Sequence, residues 1–311
     1  MIVRWGIEEL PALAGERPLV VASPRWRAVF EAPDRWEEVP SHRIEVPAGV
    51  DTVVAIGGGS AIDTGKAASA ASGLPLVSVP TTYSGAEWTS FFGVRDPDRL
   101  MRGGGAGAHL HAIVYDPDLT LELPIPETVG TSLNALAHCA EALYVPERTP
   151  ESDRDALAGA ELIGTWLPLV VERPGDPEAR ERLLRGACHA GAALGGSMLA
   201  LGHALAQALG GRYGAPHGAL NALTLPAALR FNEPAAGAEI ARFAVALGAD
   251  DPAARVEELA RLGGFERLRD LGIPENAATE VAEAAAGRPG ARANPRPVTP
   301  ADATALIRSI W

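Results

Sequence analysis

Hydrophobic residues are patterned differently in the two parts of this chain. As far as about residue 120 they form short apolar runs rich in β-branched side chains. These are Pro18-Leu-Val-Val-Ala-Ser23, Arg43-Ile-Glu-Val46, Thr52-Val-Val-Ala-Ile56, Pro75-Leu-Val-Ser-Val79 and Ala112-Ile-Val-Tyr115. Runs that are apolar at consecutive positions suit strands buried on both faces, as in a parallel sheet. Helical segments lie between them, from about Pro24 to Phe30 and from Ala61 to Ser72. The alternation predicts an α/β domain with a doubly wound, mostly parallel sheet. After about Pro124 the chain turns to long Ala/Leu-rich helical segments, down to Thr299-Pro-Ala-Asp302. That last string is a helix start, with Thr as N-cap, Pro in the first turn and an acid near the helix dipole. The change falls at Leu123-Pro-Ile-Pro126, which predicts an α/β domain over 1–123 and an all-α domain over 124–311. Arg102-Gly-Gly-Gly-Ala-Gly-Ala108 reads as a surface loop.

The most informative junction is Ile56-Gly57-Gly58-Gly59-Ser60, where an apolar strand runs into an Ala-rich helix. Glycines at such a turn let the backbone approach a ligand, and the first-turn N–H groups with the helix dipole favour phosphate. The turn is neither G-x-G-x-x-G nor a Walker loop, because Ala67 follows Gly65-Lys66 where the loop needs Ser or Thr. It points to a nucleotide at the strand ends of an α/β sheet.

With 27 Lys and Arg against 39 Asp and Glu, the net charge is −12, which argues against nucleic acid and anionic membrane surfaces as partners. Cys139 and Cys188 match no zinc or redox spacing and suit a reducing cytoplasm, and the N-terminus lacks the apolar core of a signal peptide. The uncharged stretch from Gly186 to Gly211 carries His189, His203 and Gln207 with several glycines, and reads as a buried helix pair rather than a membrane span.

The second domain carries the candidate chemistry. Asn134 and His138 are four apart on a helix and project from one face. His203 lies in the uncharged stretch, where a buried imidazole needs partners, and His217 lies in the turn Gly214-Ala-Pro-His-Gly218. Three histidines and an amide in apolar surroundings can bind a metal, donate protons or hold an anion. His109, His111 and His189 read as ordinary loop or helix residues.

Taken together, these strings resemble the iron-containing (group III) alcohol dehydrogenase family. The matching motifs are Gly57-Gly-Gly-Ser-Ala-Ile-Asp63, Pro80-Thr-Thr-Tyr-Ser-Gly-Ala-Glu87, Tyr115-Asp-Pro-Asp-Leu-Thr120, Asn134-Ala-Leu-Ala-His138, Gly202-His203 and Pro216-His-Gly218. Within the family the chain looks most like the maleylacetate reductase branch. Thr82-Tyr83, Asn134 where metal-dependent members have Asp, and Asn294-Pro-Arg-Pro297 carry that likeness.

The resemblance implies NADH or NADPH as cofactor and a substrate cleft between the domains. Gly57, Gly58, Gly59 and Ser60 would hold the pyrophosphate, with Asp63 capping or orienting the turn. Thr81, Thr82 and Ser84 would line the nicotinamide side, with Leu119 and Thr120 nearby. His138, His203, His217, Asn134 and Gln207 would form the catalytic surface. In metal-dependent members the positions of Asn134, His138, His203 and His217 hold the metal; Asn is a weaker ligand than Asp, and no metal is expected to be required here. The implied reaction takes hydride to the alkene of a small anionic keto acid, with a histidine supporting the enolate and Arg212 and Arg296 as candidate carboxylate partners. A homodimer is expected.

Departures from the family accompany these expectations. Gln207 stands where members usually have a histidine, and the Lys usual before the Tyr-Asp-Pro strand is missing, with Arg99 or Arg102 near its place. The segment from Glu31 to Val50 lacks a helix, which would expose one sheet face. Other readings are a metal-dependent alcohol dehydrogenase, a dehydroquinate synthase-like lyase and a non-catalytic nucleotide-binding homologue.

Overall fold

Six strands assemble in the order β1-β8-β5-β4-β2-β3, every neighbouring pair parallel, in the computed structural model, which describes residues 1–98 and 100–311. The strands are β1 (Ile2–Trp5), β2 (Pro18–Val21), β3 (Asp34–Trp36), β4 (Thr52–Gly57), β5 (Pro75–Pro80) and β8 (His109–Tyr115). A separate antiparallel pair joins β6 (Phe92–Arg95) to β7 (Met101–Gly105). Arg99, named above, lies outside the described residues. The chain divides into two compact units, Met1–Thr82 with Ala86–Glu122, and Tyr83–Gly85 with Leu123–Trp311.

In the first unit β4 is central, and its side chains alternate between two cores. Val54 and Ile56 join Leu10, Val20, Val77, Val79 and Val114 on one face. Val53 and Ala55 join Leu19, Val21, Ile62, Ala68 and Leu76 on the other, beneath helix α1 (Gly59–Ser72). Burying each such Val, Leu or Ile is worth about 1.5–3 kcal/mol. Gly65 allows the close fit, since a Cβ there would lie 2.6 Å from the Ala55 Cβ. Lys66, next in sequence, is buried and donates to Thr89 Oγ1 (3.1 Å) and the Phe91 carbonyl (3.0 Å), so its ammonium serves the fold rather than a phosphate.

Several expectations change here. Arg43–Val46 is not a strand: the place beside β2 is taken by Asp34–Trp36. Ile44 and Val46 pack beneath the sheet as irregular chain with Trp36 and Val39, so the missing helix leaves that face covered. The helical patch after Pro24 is a single 3-10 turn, Pro24–Trp26. The glycine-rich loop is strand β7, and its glycines make room for β6: a Cβ at Gly104 would sit 2.8 Å from the Phe92 carbonyl, and one at Gly105 2.9 Å from the Phe92 ring. Arg102, the stand-in for the missing Lys, is bonded to Asp96 (2.6 Å). Strand β1 escaped the sequence reading because it has only four residues and Arg4 interrupts its apolar run.

The second unit is helical. Its long elements are α2 (Ile125–Ala142), α3 (Pro150–Glu172), α4 (Pro177–Gly195), α5 (Leu201–Tyr213), α6 (His217–Leu247) and α7 (Pro252–Arg261). The short α8 (Ala277–Glu280), α9 (Ala282–Ala286) and α10 (Pro289–Ala293) precede α11 (Pro300–Ser309), which Thr299 and Asp302 start with a capping box. The uncharged stretch is the end of α4 and most of α5, and none of the described helices is long and apolar enough to cross a membrane. Helix α2 is buried almost all round, which is why its few polar residues matter. Tyr83–Gly85 joins this unit through Arg180, a fully buried guanidinium that donates to the Tyr83 hydroxyl (3.3 Å), Thr128 Oγ1 (3.0 Å) and the carbonyls of Pro174 and Leu123.

Candidate active site

The glycine turn meets the demands of close backbone approach. Gly57 has φ 147°, a value L side chains avoid, and a Cβ there would lie 2.8 Å from the Ala61 Cβ. A Cβ on Gly58 would reach within 2.9 Å of Thr82 Cγ2. Gly58 is the N-cap of α1 and no side chain caps the helix, leaving first-turn donors aligned with the dipole for an anion. The Thr81 N–H is tied to the Gly57 carbonyl (3.0 Å), which docks the loop after β5 against the turn, and Thr82 Oγ1 is buried without a partner. These features fit a bound pyrophosphate on Gly57 to Ser60. Asp63 does not cap the turn; it accepts from the Gly93 N–H of β6 (3.1 Å) and pairs with Lys66 (3.4 Å). Thr120 bonds back to the Pro117 carbonyl (2.8 Å) and Leu119 packs on the sheet core, so both shape the wall and neither offers a free polar group.

The helical unit gathers the histidines. His138 and His203 stack with ring centroids 4.7 Å apart, and His217 is tilted against His203 at 5.7 Å. Glu141, one turn beyond His138 and wholly buried, organises His203: one carboxylate oxygen accepts from His203 Nδ1 (2.8 Å) and the Ala200 N–H (2.7 Å), the other from the His203 N–H (3.2 Å). The carboxylate fixes the ring and its tautomer, leaving Nε2 buried and without a partner. Gly202 permits this approach, as a Cβ there would stand 2.9 Å from the Glu141 carboxylate. Gly85 (φ 72°) brings its backbone against His138, where a Cβ would lie 3.3 Å from Nδ1. Burial, and then the neighbouring His203 and His217, hold the His138 imidazole well below its ordinary pKa, so it is neutral near pH 7.

The amides complete the cluster. Asn134 donates to the Ser84 carbonyl (2.8 Å), so its Oδ1 must be the acceptor of the Asn221 amide (2.7 Å). The same Asn221 Nδ2 donates to His217 Nε2 (3.0 Å), so that nitrogen is an acceptor. The two atoms that Asn134 and His217 would turn to a metal are thus engaged by one amide. Among the described residues no group of three or more His, Cys, Asp or Glu is arranged to hold a metal ion. Beside that amide, His138 Nδ1 and His203 Nε2 are buried without a partner.

The remaining candidates sit elsewhere. Gln207 is one turn past His203, but its side chain accepts from Arg288 (3.2 Å). Arg212 is exposed and pairs with Glu280 (3.6 Å). Arg296 donates to the Phe231 carbonyl (3.0 Å) and stacks 4.0 Å over the Phe231 ring, while Asn294 exchanges amide bonds with Asn232 (2.8 and 2.7 Å). The Asn294-Pro-Arg-Pro297 string is therefore a clasp on α6, and neither arginine is directed to the histidines. Ser84 contributes its carbonyl to Asn134, and its Oγ is buried without a partner. Sequence reasoning missed Glu141, Asn221 and Arg288. The first two carried a signal: Glu141 is an acid three residues past His138 in an Ala-rich helix, and His217-Asn221 repeats the four-residue spacing of Asn134-His138.

Comparison with known proteins places the chain in a family. The iron-containing alcohol dehydrogenase profile matches residues 43–117, and that of the C-terminal part of the Fe-containing alcohol dehydrogenase family matches 128–311. The chain belongs to the iron-containing alcohol dehydrogenase family. It is 36% identical to the maleylacetate reductase of Burkholderia cepacia over 94% of this chain and 88% of that protein. It is 38% identical to that of Sphingobium indicum over 80% and 70%. The crystal structure of maleylacetate reductase from Agrobacterium tumefaciens superposes with a TM-score of 0.86 at 28% identity, covering 100% of this chain and 95% of that one. The chain is thus an oxidoreductase similar to the maleylacetate reductases, and the alcohol dehydrogenase alternative is not favoured.

Proposed function

We propose that this enzyme reduces the carbon–carbon double bond of maleylacetate to give 3-oxoadipate, using NADH or NADPH and no required metal. The observation that carries the reading is the Asn134–Asn221–His217 bridge, in a chain 36% identical to a maleylacetate reductase. An amide stands between the would-be ligands, and what remains is a hydrogen-bonding and proton-donating surface.

The Gly57–Ser60 turn would bind the cofactor pyrophosphate through the first-turn N–H groups of α1, with Thr82 Oγ1 as a further polar contact. A nicotinamide held there would supply the hydride for the alkene carbon β to the ketone. His203, oriented through Nδ1 by Glu141, is the proton donor of this reading, acting from Nε2 on the developing enolate oxygen. Ketonisation then moves that proton to the α-carbon, so one hydride and one proton are added across the double bond. His138 acts as a neutral hydrogen-bonding wall rather than the acid. Asn134 and Asn221 hold His217 with Nε2 as acceptor. Gln207, turned to Arg288, takes no part in proton transfer. The reading extends to a cytoplasmic homodimer, in keeping with the resemblance.

The test is oxidation of NADH and of NADPH with maleylacetate, before and after exhaustive EDTA treatment with elemental analysis. Turnover that survives chelation supports the proposal. Turnover that disappears with EDTA and returns with a divalent ion restores the metal-dependent reading, and cofactor binding without turnover favours a non-catalytic homologue.

A further inference from the structure

Arg288 is a partly buried arginine held against α5 by neutral partners. Its guanidinium donates to the Gln207 side-chain oxygen (3.2 Å) and to the Gln207 carbonyl (3.2 Å), both on α5, while its Nε is buried without a partner. No carboxylate of the described residues pairs with it, in contrast to Arg212, which has Glu280. Burial pulls the guanidinium below the ordinary arginine value, yet it stays charged near pH 7. A half-buried charge met only by amide oxygens is incompletely compensated. Two of its five N–H donors are used by the chain, which leaves an edge of the fork for an incoming acceptor.

Gln207 sets where that fork lies. It is four residues past His203, so the two side chains leave α5 on the same face about 6 Å apart. Arg288 is held by that Gln207 side chain and its carbonyl. The departure from the family histidine at position 207 acquires a physical reason. A neutral amide orients the guanidinium without neutralising it, which an acid would do and a protonated histidine would oppose.

We infer that Arg288, positioned by Gln207, forms the binding site for one carboxylate of the dicarboxylate substrate. The inference rests on the maleylacetate reading for the identity of that dicarboxylate. The two carboxylates lie at opposite ends of a short unsaturated chain. A fork beyond the proton donor holds one end while the ketone meets His203. The contact is a charge-assisted hydrogen bond, which in a partly dry site is worth roughly a 10–100-fold change in affinity.

The test compares wild type with Arg288→Ala, Arg288→Lys and Gln207→Glu, using maleylacetate and each of its mono-methyl esters. For Arg288→Ala, KM for maleylacetate rises about 10–100-fold with kcat changed less than about threefold, and KM for one mono-ester is unchanged. Arg288→Lys recovers part of the loss, and Gln207→Glu raises KM by quenching the guanidinium from within. Equal KM in wild type and a folded Arg288→Ala overturns the inference and leaves the maleylacetate reading standing. Should wild type fail to reduce maleylacetate, that reading fails, and thermal stabilisation by adipate decides the inference separately. A shift lost in Arg288→Ala and Arg288→Lys supports a carboxylate site, and an equal shift in all three overturns it. A loss of folding in Arg288→Ala passes the decision to Arg288→Lys and Gln207→Glu, where wild-type KM in both again overturns it.

Discussion

Glu141→Gln is the substitution that separates positioning from mere packing in the histidine cluster. The carboxylate accepts three N–H donors, from Ala200 N (2.7 Å), His203 Nδ1 (2.8 Å) and His203 N (3.2 Å). A glutamine of the same shape has one acceptor oxygen, so in either orientation its NH2 faces at least one N–H. One orphaned, fully buried donor costs about 1–3 kcal/mol, or about 2–4 °C of melting temperature per kcal/mol in a chain of this size. The catalytic loss exceeds the loss of stability. His203 loses the carboxylate that holds its Nδ1, and a positioned general acid contributes on the order of 10²–10⁴-fold. The expected result is kcat lowered about 10²-fold or more, KM changed less than about threefold, and a larger solvent deuterium isotope effect as protonation becomes limiting. Rates are normalised to folded sites counted by NADH binding, so that a smaller folded fraction cannot imitate the effect. A folded Glu141→Gln enzyme with wild-type kcat would refute the assignment of His203 as the Glu141-oriented acid.

Three further outcomes follow from the same geometry. Gly58→Ala places a Cβ 2.9 Å from Thr82 Cγ2, and should weaken NADH binding by roughly 10–100-fold in a fluorescence titration. Adding Thr82→Ser removes the clashing methyl and should restore most of the affinity; no loss in Gly58→Ala would contradict the turn's role. His138 has a folded-state pKa below its unfolded value near 6.5. As pH falls through 6.5 the unfolded chain takes up a proton that the folded chain refuses, so stability present above that pH is lost below it, by up to about 1.4 kcal/mol per pH unit. Urea unfolding of wild type and His138→Asn at pH 7.5, 6.5 and 5.5 should show the steeper loss in wild type; parallel slopes would deny a buried neutral imidazole. Asn134→Asp with Asn221→Ala supplies a carboxylate and removes the bridging amide, and should raise Zn²⁺ affinity by calorimetry at least about tenfold over wild type. Equal affinity in the two proteins would show that the bridge does not exclude a metal.

The strands and helices that were legible in the sequence are those whose burial wrote a continuous pattern. Thr52–Ile56 and Pro75–Val79 are apolar at four of five positions because both sheet faces are covered, and Thr299-Pro-Ala-Asp302 carries its own cap. Elements whose environment is mixed were misread. Ile2–Trp5 and Asp34–Trp36 are short edge strands with charges inside them, and the hairpin strand Met101–Gly105 is glycine-rich because Phe92 lies against it. Ile44 and Val46 are apolar because they pack, not because they pair. At the site, single residue types announced chemistry, so the histidines and glycines were found. The groups that orient them were harder to find, because Glu141 and Asn221 act through partners that only folding brings near. Arg288 lies 81 residues from Gln207, and no local pattern connects them.

The central claim is that hydride is added to carbon at the alkene, not to the carbonyl. The decisive measurement is reduction of maleylacetate with nicotinamide deuterated at C4, in EDTA-treated enzyme, followed by product analysis by NMR and mass spectrometry. The expected product is 3-oxoadipate with one deuterium on the carbon β to the ketone and a solvent proton on the α-carbon. A hydroxy acid with deuterium on the former carbonyl carbon, or product formed only after a divalent metal is restored, would contradict it.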